Sequence, residues 1–368
     1  MADSERTGTF IRQEGGFSAF YPRDLPPEPP IRLEGSLPGL LAEASAGVGG
    51  LKQIARSVPH PELFLLMFVR KEALLSSAIE GTESTMDDLL AFEAGDMSRR
   101  NAREVFRNVD AMMFGVERMK EKPLGLGLLK EAHAVLLGGA GASSSPGEYR
   151  TNQVVVGGRY HPPPPAAMPH PLENLEMFVI DREAFPTLVQ CGIAHAQFET
   201  IHPFRDGNGR LGRILVTLML CNRGMLDVPL LYLSHFFKEN QREYYDRLMA
   251  VRTEGDWEGW LEFFLSGVKE VSDLAIDKAR AVADLRNALD SKLREEVGFT
   301  ARETLALDFL FEHPVVSVQE LADGVNCSYP TARRLLDGFA RKRIVRETTG
   351  GGYGRRYAFD PYIALFRS

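Results

Sequence analysis

The chain has little of what marks a secreted or membrane-spanning protein. Its 368 residues include three cysteines, Cys191, Cys221 and Cys327, which are widely separated and form no Cys-x-x-Cys pair. This pattern gives no basis for a disulfide framework and predicts reduced thiols in a cytoplasmic protein. No apolar run reaches membrane-spanning length, and the opening Met-Ala-Asp-Ser-Glu-Arg lacks a signal-peptide pattern.

An excess of positive charge is missing as well. The chain has 43 basic and 50 acidic side chains, a formal net charge of −7. This balance argues against a surface built as a whole for nucleic acid or membrane. The length leaves room for two or three domains with a sizeable core, as in a soluble enzyme.

One run of twelve residues carries most of the chemistry. Residues 202–213 read His-Pro-Phe-Arg-Asp-Gly-Asn-Gly-Arg-Leu-Gly-Arg. Apolar residues on both sides recur at helical spacing. The run is therefore predicted to be a loop between two helices, with Gly207-Asn208-Gly209 opening the second.

The residue types in this run suit phosphate chemistry. A helix N-terminus attracts phosphate, and glycines let the backbone approach it closely. Arg210 and Arg213 lie three apart and can grip successive phosphate oxygens, while Asp206 suits Mg²⁺ shared with phosphates. His202 is a candidate base for an attacking hydroxyl. The run predicts phosphoryl or nucleotidyl transfer, although a plain turn and a structural histidine are the alternative for its separate parts.

The run resembles the signature of Fic-domain proteins, His-x-Phe-x-Asp/Glu-Gly-Asn-Gly-Arg-x-x-Arg, at every fixed position. The resemblance implies a mainly α helical bundle that transfers AMP from ATP to a hydroxyl of a target protein. It implies that His202 is the base, that Asp206 holds Mg²⁺ against the α- and β-phosphates, and that Phe204 packs in the core. It also implies a catalytic role for Asn208, Arg210 and Arg213. The residues that it implies contact the nucleotide are Gly207, Asn208, Gly209, Arg210, Leu211, Gly212 and Arg213.

A second motif lies upstream, where residues 76–81 read Ser-Ser-Ala-Ile-Glu-Gly. It resembles the inhibitory motif of the same family, Ser/Thr-x-x-x-Glu-Gly/Asn. Ser76 and Glu80 are four apart and share a helical face, from which a carboxylate can pair with an arginine fork. The resemblance makes Arg213 that partner and denies it to the γ-phosphate. We therefore expect autoinhibition from a helix over about 70–81, although such a pair alone is typical of a solvated helix face.

A hairpin is predicted within residues 147–160, where a β-branched run meets Gly157-Gly158. It resembles the Fic flap, which holds a target segment by strand addition. An ordinary structural hairpin is the alternative. Val156 and Gly157 are expected to contact the nucleotide. Tyr244 and Tyr245 offer an aromatic face for adenine, or equally the core face of an amphipathic helix.

Four segments are expected along the chain. Residues 1–50, rich in glycine and proline, are expected to form an extended N-terminal arm. Residues 51–264 are expected to form the Fic catalytic domain, and residues 265–297 a connecting helix. Residues 298–368 are predicted to form a winged helix, with a capping box at Ser317 and strands over 344–348 and 355–359 around a glycine loop.

The role of the predicted winged helix is left open between two classes. Its arginines at 333, 334, 355 and 356 suit DNA phosphates. Yet residues 300–368 have ten basic and eight acidic side chains, a net charge of +2, which is weak for a DNA reader. Dimerisation or target docking is therefore favoured.

Three alternatives to AMP transfer stay open: a DNA-binding regulator with a Fic sensor, transfer from another nucleotide, and removal of AMP. It also stays open whether the protein forms a homodimer and whether it is its own target.

Overall fold

The computed structural model describes residues 6–57, 62–138, 145–296, 299–349 and 354–367. Helices dominate these residues, which confirms the mainly α fold class. The helices are α1 (Leu37–Ser57), α2 (Glu62–Ile79), α3 (Met86–Glu93), α4 (Arg100–Arg118), α5 (Leu126–Leu137), α6 (Pro169–Ile180), α7 (Thr187–Ile201), α8 (Asn208–Asn222), α9 (Ser234–Glu239), α10 (Gln241–Glu254), α11 (Trp257–Arg294), α12 (Ala301–Glu312), α13 (Val318–Gly324), α14 (Tyr329–Arg341) and α15 (Asp360–Arg367). None of the described helices is both long and apolar enough to cross a bilayer.

Two small antiparallel sheets complete the described part of the chain. Strand β1 (Gly8–Arg12) pairs with β2 (Ser18–Pro22) near the N-terminus. Towards the C-terminus, β5 (Arg356–Ala358) lies between β3 (Val315–Ser317) and β4 (Arg346–Glu347).

The N-terminal region differs from the extended arm expected over residues 1–50. Strands β1 and β2 form a hairpin, and α1 begins at Leu37, so the longest stretch without a strand or helix among the described residues 6–50 is 23–36. The expectation gave too much weight to glycine and proline. Residues 40–46 read Leu-Leu-Ala-Glu-Ala-Ser-Ala, good helix formers that pack α1 along α11, and Ala19 and Phe20 of β2 are fully buried.

The core is built around α7 and α8, which pack against each other. Every residue from Leu188 to Ile201 of α7 is buried, and so are most residues of α8. A helix that is covered on all sides lies at the centre of its domain. The run 202–213 therefore begins where one central helix ends and continues into the next.

The helix expected from residue 265 begins earlier, at Trp257. Asp256 caps it by accepting the backbone N–H of Gly259 at 2.9 Å. The first three turns bring Trp257 and Trp260 into the core, and the later turns follow α1. Helix α11 thus runs without a break across the boundary expected between residues 264 and 265.

The described C-terminal residues, 299–349 and 354–367, run through α12, β3, α13, α14, β4, β5 and α15. The predicted capping box at Ser317 is present, and Thr300 forms another. The strands are shorter than predicted, and β3 was missed because three residues give no readable alternation. Residues 350–353 of the predicted glycine loop lie outside the described residues. The winged-helix assignment and the domain boundaries stay predictions.

Candidate active site

The loop between α7 and α8 has an unusual backbone at both ends. His202 ends α7 in the left-handed conformation, with φ 49° and ψ 60°. Gly207, with φ 78°, precedes α8, where glycine avoids the cost that a Cβ would add. A left-handed histidine costs about 1–2 kcal/mol, so its surroundings must hold it.

Arg150 holds His202 in this conformation. Its Nε donates to the carbonyl of His202 at 2.8 Å, and its backbone N–H donates to the carbonyl of Pro203 at 2.9 Å. The guanidinium also donates to the carbonyls of Ile201 and Pro163. Burial lowers the pKa of Arg150 to about 10. The segment that leads into the predicted flap is thereby tied to the end of α7.

Asn208 closes the loop from the other side. Its Oδ1 accepts the backbone N–H of Phe204 at 2.8 Å, and its Nδ2 donates to the carbonyl of the same residue at 2.9 Å. Phe204 is buried, as expected, with its ring stacked on His133 at 3.8 Å between centroids. In this structure, Asn208 braces the loop that carries the candidate base.

His133 on α5 was missed by the sequence analysis. Its Nδ1 accepts the backbone N–H of Gly147 at 2.9 Å, so the proton lies on Nε2, which faces the carbonyl of Asp206 at 3.0 Å. Burial lowers the pKa of His133, which favours this neutral form. A single histidine on an apolar helix gives no motif, and only the tertiary contact shows that it supports the loop.

His202 itself is largely enclosed, with 16% of its side chain exposed. Its Nδ1 is buried and makes no hydrogen bond to the described residues, and the closest carboxylate oxygen, Oε2 of Glu199, is 3.8 Å away. Burial, together with Arg252 and Arg150, lowers the pKa of His202 to about 3. The imidazole is neutral near pH 7 and can accept a proton.

Arg213 is held by the upstream motif, the pairing that the family resemblance implies. Its Nη2 donates to Oε1 of Glu80 and to the carbonyl of Ser76, at 2.8 and 2.9 Å, and its Nε donates to Oγ of Ser76 at 2.8 Å. Burial alone would lower the pKa of Arg213, but Glu80 raises it above its usual value. The guanidinium therefore stays charged in a buried position.

Asp206 and Arg210 lie on either side of the point where the loop joins α8. Two thirds of the Asp206 side chain is exposed, its Oδ1 accepts the Gly207 N–H at 2.6 Å, and Nη2 of Arg210 is 3.6 Å away. Among the described residues, no group of three histidine, cysteine or acidic side chains is arranged to hold a metal ion. One open carboxylate beside a helix N-terminus fits Mg²⁺ that takes its remaining ligands from phosphates and water.

A cavity of about 580 Å³ opens beside His202. It brings predicted residues from the end of α2, the flap, the loop and α10 together with others that the sequence did not single out. Its walls are Ile79, Glu80, Val156, Gly157, Arg159, Tyr160, Glu199, His202, Gly209, Arg213, Tyr244, Tyr245, Asp246, Met249 and Arg252.

Some predicted nucleotide contacts do not line this cavity. Leu211 is fully buried in the core, and a Cβ on Gly212 would meet Glu199 and Phe198. Tyr244 reaches the cavity but is 1% exposed, with its hydroxyl 2.8 Å from Nε2 of His195 and its ring stacked on Phe237. Its contacts are those of core packing, whereas Tyr245 is 43% exposed at the rim.

The predicted hairpin is a tight turn. Val156 and Tyr160 exchange two backbone hydrogen bonds, at 2.8 and 3.0 Å, around Gly157 and Gly158, both with positive φ. The ladder ends there, since the prolines that follow cannot donate. The Tyr160 hydroxyl donates to the carbonyl of Thr200 at 2.7 Å and fixes the turn over α7.

Two models of one protein family match the parts of the chain that form this site. The Fic/DOC family N-terminal model matches residues 39–117, which include Ser76 and Glu80. The Fic/DOC family model matches residues 123–220, which include the whole run 202–213. The chain contains the N-terminal and Fic domains of the Fic/DOC family. Its two predicted motifs fall in the two matched regions of this family.

Curated relatives agree with this assignment, and a solved structure shares the fold. The chain is 28% identical over 175 residues to a probable protein adenylyltransferase of Aquifex aeolicus, covering 45% of this chain and 52% of that one. It is 32% identical over 130 residues to the protein adenylyltransferase Fic of Aedes aegypti, covering 35% and 24%. The chain thus spans about half or less of these relatives. A Fic family protein from Desulfovibrio desulfuricans shares the fold, with a TM-score of 0.57 at 23% identity over 90% of this chain and 97% of that one.

Proposed function

We propose that this Fic-domain protein is a protein adenylyltransferase that moves AMP from ATP to a hydroxyl of a target protein. One observation carries the proposal: a neutral His202, the start of α8 and the guanidinium of Arg213 all face one cavity large enough for a nucleotide. A base, a backbone anion site and a cation are what nucleotidyl transfer requires.

The reaction follows from this arrangement. His202 takes the proton of the target hydroxyl, whose oxygen then bonds to the α-phosphorus of ATP. The bond from that phosphorus to the bridging oxygen breaks, and pyrophosphate leaves. Backbone N–H groups at the start of α8 stabilise the charge on the phosphate oxygens. Asp206 is the residue that would hold Mg²⁺, which neutralises phosphate charge when bound.

We further propose that Glu80 keeps the enzyme in a low-activity state. Its Oε1 pairs with Arg213 and lies so close to α8 that a Cβ built on Gly209 would be 2.1 Å from it. The Glu80 carboxylate fills the space that the γ-phosphate needs when ATP is bound for transfer. It also pairs with Arg213, the cation that would bind that phosphate. ATP can still enter the cavity, but its phosphates are displaced from His202.

The flap is the proposed docking edge for the target. Val155 is 52% exposed next to the turn at Gly157, and Tyr160 anchors that turn beside His202. An extended target segment that pairs with this edge by main-chain hydrogen bonds would bring a side-chain hydroxyl to the base. Such pairing accepts varied sequences, including a segment of the protein itself.

The proposal is tested by the intact mass of the protein after incubation with ATP and Mg²⁺. Glu80→Gly should gain AMP faster than the wild type, because Arg213 is released, and the added His202→Ala should abolish the gain. Glu83→Gly is a matched control, since Glu83 is an exposed glutamate three residues further on and should leave transfer at the wild-type level. Equal transfer by the Glu80→Gly protein with and without His202→Ala would refute the mechanism.

Repeating the incubation with GTP, CTP and UTP tests the choice of nucleotide. Adding wild-type protein to modified Glu80→Gly protein tests removal of AMP. The DNA-binding alternative gains no support from charge: Arg333, Arg355 and Arg356 each face a carboxylate, at 3.8, 3.6 and 3.3 Å. Docking or dimerisation remains the proposed role of the predicted winged helix.

A further inference from the structure

Glu199 is a buried acid next to the candidate base that neither motif includes. It lies on α7, three residues before His202, with 9% of its side chain exposed. Its Oε1 is buried and makes no hydrogen bond to the described residues, while its Oε2 is 3.8 Å from Nδ1 of His202. Two neighbouring buried atoms, Nδ1 of His202 and Oε1 of Glu199, thus have no hydrogen-bond partner among the described residues.

Unsatisfied buried polar atoms are rare in native proteins and need a reason. A carboxyl used only for packing would be replaced at lower cost by an amide or an apolar side chain, since burial of a carboxylate is expensive. Here burial raises the pKa of Glu199 to about 7, while Arg213 and Arg252 oppose the rise. The group is therefore poised to change its charge near neutral pH, one helical turn from the base.

Charged and titratable groups face Glu199 from every element packed around it. Arg213 comes from α8, Glu80 follows α2, and Arg252 comes from α10. Further titratable side chains near Glu199 are Tyr160 of the flap, Tyr244 and Tyr245 of α10, and His195 of α7. Among these, Glu80 raises the pKa of Glu199 and the two arginines lower it. Departure of Glu80 therefore favours the ionised carboxylate.

We propose that Glu199 is a positioning residue for His202, whose carboxylate accepts the Nδ1–H hydrogen bond and turns Nε2 towards the target hydroxyl. This inference rests on the proposed function. The target proton moves to Nε2, the hydroxyl oxygen bonds to the α-phosphorus, and pyrophosphate leaves. The Nδ1 proton stays on the ring, now an imidazolium that the carboxylate stabilises.

The energetic need for such a partner is clear from the surroundings of His202. An efficient general base has a pKa near the working pH, whereas burial and two arginines disfavour the imidazolium here. A carboxylate that closes from 3.8 Å to hydrogen-bond distance offsets that effect. Glu80 adds to the effect of burial in disfavouring the ionised form of Glu199. Release of Glu80 therefore favours this contact with the base and also frees Arg213 for the phosphate site.

The backbone carbonyl of Glu199 is a competing acceptor, since it also raises the pKa of His202. Glu199→Gln separates the two explanations because it keeps the carbonyl and the side-chain shape and removes the charge. The substitution relieves a buried acid and should not impair folding. Glu199→Asp keeps the charge on a shorter arm.

Kinetics in the Glu80→Gly protein form the first arm of the test. Glu199→Gln should slow single-turnover AMP transfer by about tenfold or more and move the acid limb of the pH profile to lower pH. Glu199→Asp should recover part of the rate, and ATP affinity should stay within about twofold. Gln197→Ala, a buried change on the same helix, is the matched control and should leave the rate nearly unchanged. Transfer by Glu199→Gln at the parent rate with the same pH profile would overturn the proposal.

Nuclear magnetic resonance of isotope-labelled histidine provides the second arm without any transfer. The His202 signal, assigned by its loss in His202→Ala, is titrated in the Glu80→Gly protein with and without Glu199→Gln. We expect the amide to lower the pKa of His202, and an unchanged titration would overturn the proposal. If the Glu80→Gly protein transfers no nucleotide at all, the proposed function fails, while this titration still decides whether Glu199 and His202 are partners.

Discussion

At the scale of single residues, the active-site loop depends on side chains that bond to the main chain. Arg150 and Asn208 hold the two ends of the loop, and His133 holds its middle. The run 202–213 could be interpreted from its own spacing because its residue types are consecutive. Arg150 and His133 could not, since their partners lie 52 and 73 residues away and a lone buried arginine or histidine leaves no pattern.

The buried acid at Glu199 leads to a prediction about stability and pH. Its pKa is about 7 in the folded chain and about 4.5 without burial. Between these values the folded chain keeps a proton that the unfolded chain has lost, so the free energy of unfolding falls as the pH rises through this window. The full loss is at most about 3 kcal/mol.

Glu199→Gln has no proton to lose, so it should become more stable relative to the wild type as the pH rises from 4.5 to 7.5. Urea unfolding of both proteins at several pH values measures this difference, in which the titratable groups that do not contact residue 199 cancel. A difference that does not change with pH would contradict the assigned burial of a protonated Glu199.

At the scale of elements, the end of α2 is fixed by more contacts than its motif predicts. The spacing of Ser76 and Glu80 predicted that they share a face, and the family resemblance implied Arg213 as the partner; both residues bond to Arg213 in the structure. The sequence could not show that the carbonyl of Ser76 accepts a further hydrogen bond from Arg213. Nor could it show that Lys238 and Gln241 cap α2 by donating to the carbonyls of residues 78 and 79. These contacts join segments more than 130 residues apart.

Ser76→Ala should therefore relieve inhibition in part. It removes one of the three hydrogen bonds to Arg213 and leaves Glu80 in place, a loss of about 1–1.5 kcal/mol. AMP transfer should rise by roughly five- to tenfold, less than in Glu80→Gly, as measured by the rate of adduct formation. Ser77→Ala is the matched control, because the Ser77 hydroxyl is buried without a hydrogen-bond partner among the described residues. Equal activation by both substitutions would mean that general loosening of α2, and not the bond to Arg213, controls transfer.

The flap and the N-terminal region show where local patterns are insufficient. A β-branched run before two glycines predicted a hairpin, and the structure has one bridge, because Tyr160 is held by α7 and prolines follow it. Helix α1 was missed because glycine and proline dominate its surroundings in the sequence, while its stability comes from packing along α11.

At the scale of the whole molecule, α12 and α15 of the C-terminal residues pack on α2, the helix that precedes Glu80. Helix α12 contacts α2 directly. The ring of Phe366 meets that of Phe68 edge-on, with centroids 5.3 Å apart, and the carbonyl of Phe366 accepts a bond from Lys71 at 3.4 Å. No local pattern links residues almost 300 positions apart, so this arrangement was beyond sequence reasoning. The predicted winged helix thus contacts α2, and α2 ends next to Glu80, which lines the cavity beside His202.

Phe366→Leu should weaken this support and raise AMP transfer. An edge-on aromatic pair contributes about 0.5–1.5 kcal/mol beyond burial, so loss of the pair should favour release of α2 and increase the rate by about two- to tenfold. Phe339→Leu is the matched control: Phe339 is also buried, but on α14, which packs on α13. Adduct mass against time measures the rates, and melting temperatures measure the loss of packing in each protein. If both substitutions lower the melting temperature equally and only Phe366→Leu activates transfer, the C-terminal residues regulate Glu80 through α2; activation by both would assign the effect to loss of stability alone.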